Sequence, residues 1–145
     1  MNNQDMEVFT RAFIDGVMFA TQIEVTPGED GYPAYMPLEE LTIENEGWNK
    51  FLAYLTDTAK EFVLENQRLL EEYVQALMQD YQVPRDSAVD SAGIHAALHC
   101  VNAGDSFDTT IEAGSDLCYT AGSPLEYLNE SLEYLPETER VAVYL

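Results

Sequence analysis

Apolar side chains at Met6, Phe9, Phe13, Val17 and Ala20 recur in steps of three and four, which predicts a helix from Met6 to about Gln22. Gly16 weakens that helix without forbidding it. Ile23 and Val25 then favour extension, and Pro27-Gly28-Glu29-Asp30-Gly31-Tyr32-Pro33 reads as a loop. Order resumes at Pro37, with Leu38, Leu41 and Ile43 leading into the strongest signal in the chain. From Trp48 to Tyr81, the residues Trp48, Phe51, Leu52, Leu55, Ala59, Phe62, Leu69, Leu70, Tyr73 and Leu77 form an i, i+3, i+4 stripe. That is roughly nine turns of helix at 3.6 residues each. Asn45 or Gly47 can open it, Asn66 is where it can bend or break, and Pro84 stops it. The stripe is the core side; Glu61, Glu65, Arg68 and Glu72 mark the wet side, with favourable charge pairs.

Beyond Pro84 the pattern changes. Asp86 to Ser91 is polar and loop-like. Gly93 to Val101 places Ile94, Ala96, Leu98 and Cys100 on one face of a strand, although its alanines suit a short helix as well. Asn102 to Asp105 is a turn, and Phe107 to Ile111 can return as the partner strand of a hairpin. Leu117 to Thr120 fits another short strand. Ser123 with Pro124 and then Glu126 marks a helix start. That helix would bury Leu125, Leu128, Leu132 and Leu135 and end before Pro136, and Val141 to Leu145 would close the chain as a strand. No internal repeat interrupts this order. The expected class is α+β: helices, one of them long (about 48–81), packed on a small, mostly antiparallel sheet.

The 145 residues suit a single acidic domain, 1–145, and 46% hydrophobic content argues against disorder. No run approaches the roughly 18–20 apolar residues of a membrane span. The N-terminus lacks the basic flank and apolar run of a secretory signal. Two cysteines call for no disulfide scaffold, so a cytoplasmic setting is expected. Charge alters the picture most. There are 27 acidic residues against 6 basic ones, a net −21. Self-repulsion at that level works against the compact state. Nucleic acid and membrane surfaces would both repel the chain, so direct binding to either is not expected. Ten acids lie in residues 1–46 and eleven in 82–145, against six in the milder middle.

Catalytic and metal patterns are incomplete. His95, His99, Cys100 and Cys118 invite a zinc reading, but a strand would turn Cys100 away from the two histidines. Asp105, Asp108, Glu112 and Asp116 lack the spacing of a calcium loop. The serines lie in no nucleophile-elbow setting, and His99 beside Cys100 in sequence does not bring thiol and imidazole face to face. No enzyme activity, metal or cofactor is expected.

The acidic pattern carries more. Glu126, Glu130, Glu133 and Glu137 step by four, three and four, and on a helix would share one face with gaps near the spacing of successive phosphates. Glu39, Glu40, Glu44 and Glu46 form a second concentration, and Glu29-Asp30 a third. Tyr127 and Tyr134 flank the first group and suit an interface. The partner expected is a basic protein that normally binds nucleic acid, met by a surface that imitates DNA; a homodimer is plausible on base rates. The alternative is a non-catalytic interaction or structural module whose charge serves solubility.

Ala92-Gly93, Leu98, Gly104 and Phe107, with Phe62 and Asn66 upstream, also fall at the spacing seen in a group of small acidic phage-encoded proteins of uncharacterised function. Over about residues 50–145 the order of elements resembles that group. The chain departs from it at His95-Ala96, where the group has Asp-Phe, and at His99-Cys100-Val101, where it has Thr-Arg-Asn. The resemblance implies a viral origin, hence a host cytoplasm, and brings no catalytic residues.

Overall fold

Helix α1 (Asn3–Ala20) opens on a capping box: the Asn2 side chain accepts the Asp5 N–H at 2.8 Å, and the Asp5 carboxylate accepts the Asn2 N–H at 3.1 Å. Phe9, Phe13 and Val17 are buried, as their spacing predicts. This is a computed structural model, and it describes residues 1–27, 31 and 33–145; most of the expected loop and the Glu29-Asp30 pair lie outside them. Strands β1 (Gln22–Pro27) and β2 (Pro33–Pro37) pair antiparallel. A 3-10 turn, Leu38–Glu40, leads to the two-residue β3 (Thr42–Ile43).

The long apolar stripe folds as two helices, α2 (Asn45–Glu65) and α3 (Gln67–Tyr81), separated at Asn66. The Asn66 side-chain amide donates to the Phe62 carbonyl at 2.9 Å, and its backbone N–H is shared between Phe62 and Val63. A side chain competing for the helix ladder in this way breaks it. Phe51, Leu55, Ala59, Phe62, Leu70, Tyr73 and Leu77 of the stripe are buried, while Trp48 at the open end is partly exposed.

The expected hairpin after Pro84 does not form. Residues Arg85–Cys100 are helix α4, so neither the polar loop at 86–91 nor the strand at 93–101 exists, and the helical reading of the alanines is the one realised. Ala88, Ala92, Ala96 and Cys100 repeat every four residues beside Val89, Gly93 and Ala97, and all seven are buried. This small-residue stripe lets α4 press against α1. A Cβ at Gly93 would fall 2.6 Å from the Phe9 carbonyl oxygen, and one at Gly16 2.7 Å from the Ala97 Cβ. Each glycine costs about 1 kcal/mol of helix propensity relative to alanine and is tolerated for the contact.

Residues 107–111 form no returning strand. Phe107 instead plugs the core, its ring centroid 5.2 Å from that of Tyr73 and 6.2 Å from that of Phe62. Leu117 to Thr120 lies in helix α5 (Glu112–Thr120) rather than in a strand. The helix expected from Ser123 to Leu135 is also absent. In its place are turns, a 3-10 turn at Leu128–Ser131, and strand β4 (Leu132–Leu135). Strand β5 (Arg140–Val143) is the closing strand. It sits centrally in the order β3-β5-β4, parallel to β3 and antiparallel to β4. The class is therefore α+β, helices against two small, mostly antiparallel sheets. Among the described residues, no helix is long and apolar enough to cross a membrane.

Candidate partner-binding surface

The glutamates at 126–137 do not share a helical face. Leu125 is tied to the end of α4 by its N–H to the Cys100 carbonyl at 3.0 Å, and Tyr144 N–H reaches the Ser131 carbonyl at 2.8 Å. These anchors and the β4–β5 ladder override the weak leucine period, so the residues are spread along a turn, a strand and a hairpin end. Glu126 sits before the 3-10 turn and accepts from the Asn102 side chain at 3.3 Å; Glu130 lies within that turn. Glu133 is on β4, and Glu137 lies between β4 and β5. All four are exposed. Tyr127 is exposed, whereas Tyr134 is half-buried on β4.

The second concentration begins on the 3-10 turn with exposed Glu39 and Glu40, and continues with Glu44 at the N-cap position of α2, its side chain making no capping bond, and Glu46 in the first turn. Here the tertiary fold does something the sequence order does not show. Glu44 N–H donates to the Val141 carbonyl at 2.9 Å, which seats the start of α2 on the central strand. Gly47 makes the approach possible, because a Cβ there would stand 2.9 Å from the Val143 Cβ. On the other side of β5, the Tyr144 hydroxyl donates to Glu133 at 3.0 Å. That bond and the Glu133 charge raise the Tyr144 pKa above the usual tyrosine value, with the Glu44 charge adding to them. One glutamate of each concentration, Glu44 and Glu133, therefore flanks β5, on opposite sides of it.

Little basic charge offsets them. Among the described residues, Arg68 pairs with Glu72 on the surface at 2.9 Å, and Arg85 pairs with Asp5 at 3.1 Å and Glu71 at 2.7 Å. Burial would push the Asp5 carboxyl up, but the Arg85 guanidinium and the Asn2 N–H outweigh it and hold the pKa below the usual range. Arg85 thus joins the starts of α1, α3 and α4 and is not available to the acidic surface.

A second polar cluster lies inside. The Tyr73 hydroxyl accepts the Asp108 N–H at 2.8 Å and shares a hydrogen bond with Nδ1 of His95 at 2.7 Å. Burial pushes the Tyr73 pKa up to about 12 and the His95 pKa down. Tyr81 donates to Asp108 at 3.0 Å, and the Thr110 hydroxyl and N–H hold the other carboxylate oxygen. The Asp108 pKa is lowered, first by the Thr110 side chain. The spacing of Tyr73 marks it as core and says nothing of this role; its phenol needs partners once buried.

The zinc candidates are dispersed in function. His95 serves Tyr73, and Nε2 of His99 donates to the Ala121 carbonyl at 2.8 Å. Cys100 is buried and its thiol is pushed up to about 12, which makes it a poor nucleophile. Among the described residues, no group of three His, Cys, Asp or Glu side chains is placed to hold a metal ion.

The chain matches no protein-family model, no curated protein and no solved structure.

Proposed function

We propose that this protein is a non-catalytic inhibitor of the DNA-mimic type, phage-encoded as the resemblance implies. In this reading it acts in the host cytoplasm on a basic protein that normally holds nucleic acid. The observation that carries the reading is the placement of Glu44 and Glu133 on the two flanks of β5, on a chain of net charge −21 whose Arg85 is engaged between helices. Duplex DNA carries about one charge per 1.7 Å of axis, and a fixed array of carboxylates competes for the same basic groove without offering bases. Such recognition is fast and salt-sensitive.

The test is retention of proteins from a bacterial lysate on the immobilised protein, eluted by salt and then by competing duplex DNA. A DNA-binding protein released by both agents is the expected result. The combined variant Glu44→Gln, Glu46→Gln, Glu133→Gln should weaken its capture roughly tenfold at low salt, about 1.4 kcal/mol, with folding unchanged. Undiminished capture removes this surface from the proposal.

A specific observation favours a second reading, an interaction module that uses apolar contacts. Tyr119 is 93% exposed and Tyr127 65%, and Phe19 and Leu64 are exposed as well. Partners held this way would resist salt and ignore DNA.

A further inference from the structure

Helices α3 and α4 converge on the loop that carries Asp108, and among them lies an open cleft of about 370 Å³. That falls within the roughly 300–1,000 Å³ usual for small-molecule sites. Its apolar wall is Leu77 in the last turns of α3, Val83 in the segment that follows, and Ala88 of α4. The Tyr81 hydroxyl donates to Asp108 at 3.0 Å and so ties the last residue of α3 to the loop.

The polar groups of the cleft are only partly used by the fold. Ser87, Ser91 and His95 follow one another at steps of four on α4, share one face of it, and line the cleft. A hydroxyl within a helix commonly turns back to the carbonyl four residues earlier. Thr56, Thr58 and Thr120 do so at 2.8 Å each. Among the described residues, the hydroxyls of Ser87 and Ser91 have neither that bond nor another partner in the chain. His95 gives its Nδ1 to Tyr73, which leaves Nε2 as the ring nitrogen open to a ligand. In Asp108, Oδ1 takes both bonds from Thr110, whereas Oδ2 takes the Tyr81 hydroxyl alone and keeps an acceptor site.

These groups fix the sign of a ligand. The bonds from the Thr110 hydroxyl and N–H and from Tyr81 lower the Asp108 pKa, so its carboxylate is charged at neutral pH. Burial lowers the His95 pKa, so the imidazole adds no cation there. Among the described residues, no lysine or arginine lines the cleft. Hydrogen bonds to a carboxylate are stronger than those between neutral groups, and a net charge of −21 draws small cations towards the molecule. We propose that this cleft binds a small organic amine. Its ammonium group takes the free acceptor site of Asp108 Oδ2, and its apolar body lies against Leu77, Val83 and Ala88. The row of Ser87, Ser91 and His95 receives any polar groups carried on that body. The site uses none of the glutamates of the partner-binding surface and does not depend on the inhibitor reading.

The experiment follows the backbone amides of the labelled protein by NMR. The probes are phenethylamine, with phenethyl alcohol and phenylacetate as its neutral and anionic counterparts. The amine should shift the Ser91, His95 and Asp108 amides saturably, with a Kd on the order of 1 mM for so small a ligand. The alcohol should bind at least about tenfold more weakly, and phenylacetate should produce no shift. Asp108→Asn keeps the shape of the side chain but removes its charge, and should weaken amine binding about tenfold. Ser91→Leu fills the cleft without touching Asp108 and should abolish binding. Should Asp108→Asn unfold, the alcohol and Ser91→Leu still decide. Equal binding of amine and alcohol, undiminished binding to the Ser91→Leu variant, or shifts spread over the surface glutamates without saturation at the cleft overturn the proposal.

Discussion

Two populations of carboxylates occupy opposite situations. At the helix junction, Asp5 is 3% exposed and held by the Arg85 guanidinium, which also takes Glu71. At the sheet margin, among the described residues Glu133 has the Tyr144 hydroxyl alone as a side-chain hydrogen-bond partner, with Glu44 on the other side of β5. The first arrangement holds three helices together. At the second, the exposed Arg140 of β5 is the cation on the same strand, and it joins no ion pair among the described residues. The partly buried Arg85 is found where an unpaired carboxylate would be most costly.

The largest effect should come from the junction. Arg85→Met keeps most of the aliphatic stem but leaves Asp5 buried without its cation, and should destabilise the fold by about 3 kcal/mol in urea unfolding. The triple glutamine variant at the margin should stay within about 0.5 kcal/mol of the parent. Similar losses at the two places would erase the distinction between them.

An intermediate effect is expected at the second inner cluster, and it depends on pH. Burial lowers the His95 pKa, so the unfolded chain binds the proton first as pH falls. The stability is complete above the ordinary histidine value of about 6.5 and is lost as pH falls from there through the folded pKa. Asp5, Glu71 and Asp108 are also held low, so a second loss begins below the usual carboxylate range, at about pH 4. His95→Gln should remove the first step and cost about 1 kcal/mol at neutral pH through the Tyr73 hydrogen bond. A variant that keeps both steps would place the first titration elsewhere.

The smallest effect sharpens the margin itself. Tyr144 ionises late because its hydroxyl is bonded to Glu133 beside a negative charge. Glu133→Gln should bring it back towards the ordinary tyrosine value, read from ring chemical shifts, with no change in stability. An unmoved titration would separate Tyr144 from Glu133 in solution.

Where one strong period runs unbroken, the sequence is a sufficient guide. The α1 and α2–α3 stripes were legible in Phe9, Phe13 and Val17 and from Phe51 to Leu77, and even the break was readable from Asn66. Between Arg85 and Leu135 the same reasoning failed for physical causes. In α4, alternation through Ile94, Ala96 and Leu98 masked a four-residue repeat of Ala88, Ala92, Ala96 and Cys100, and small side chains give both patterns little contrast. At 125–135, four leucines spaced for a helix are buried or half-buried in turn and strand geometry instead, because β5 supplies hydrogen bonds that a local period cannot foresee.

The sequence alone determines that this protein is acidic, that its two strongest apolar stripes are helical, and that those helices bury one apolar face each, since those properties depend on composition and on neighbours three or four residues apart. Which acids stand together is a matter of tertiary structure. Glu44 and Glu133 are set on the two flanks of β5, the first through a hydrogen bond to Val141 nearly a hundred residues away in sequence.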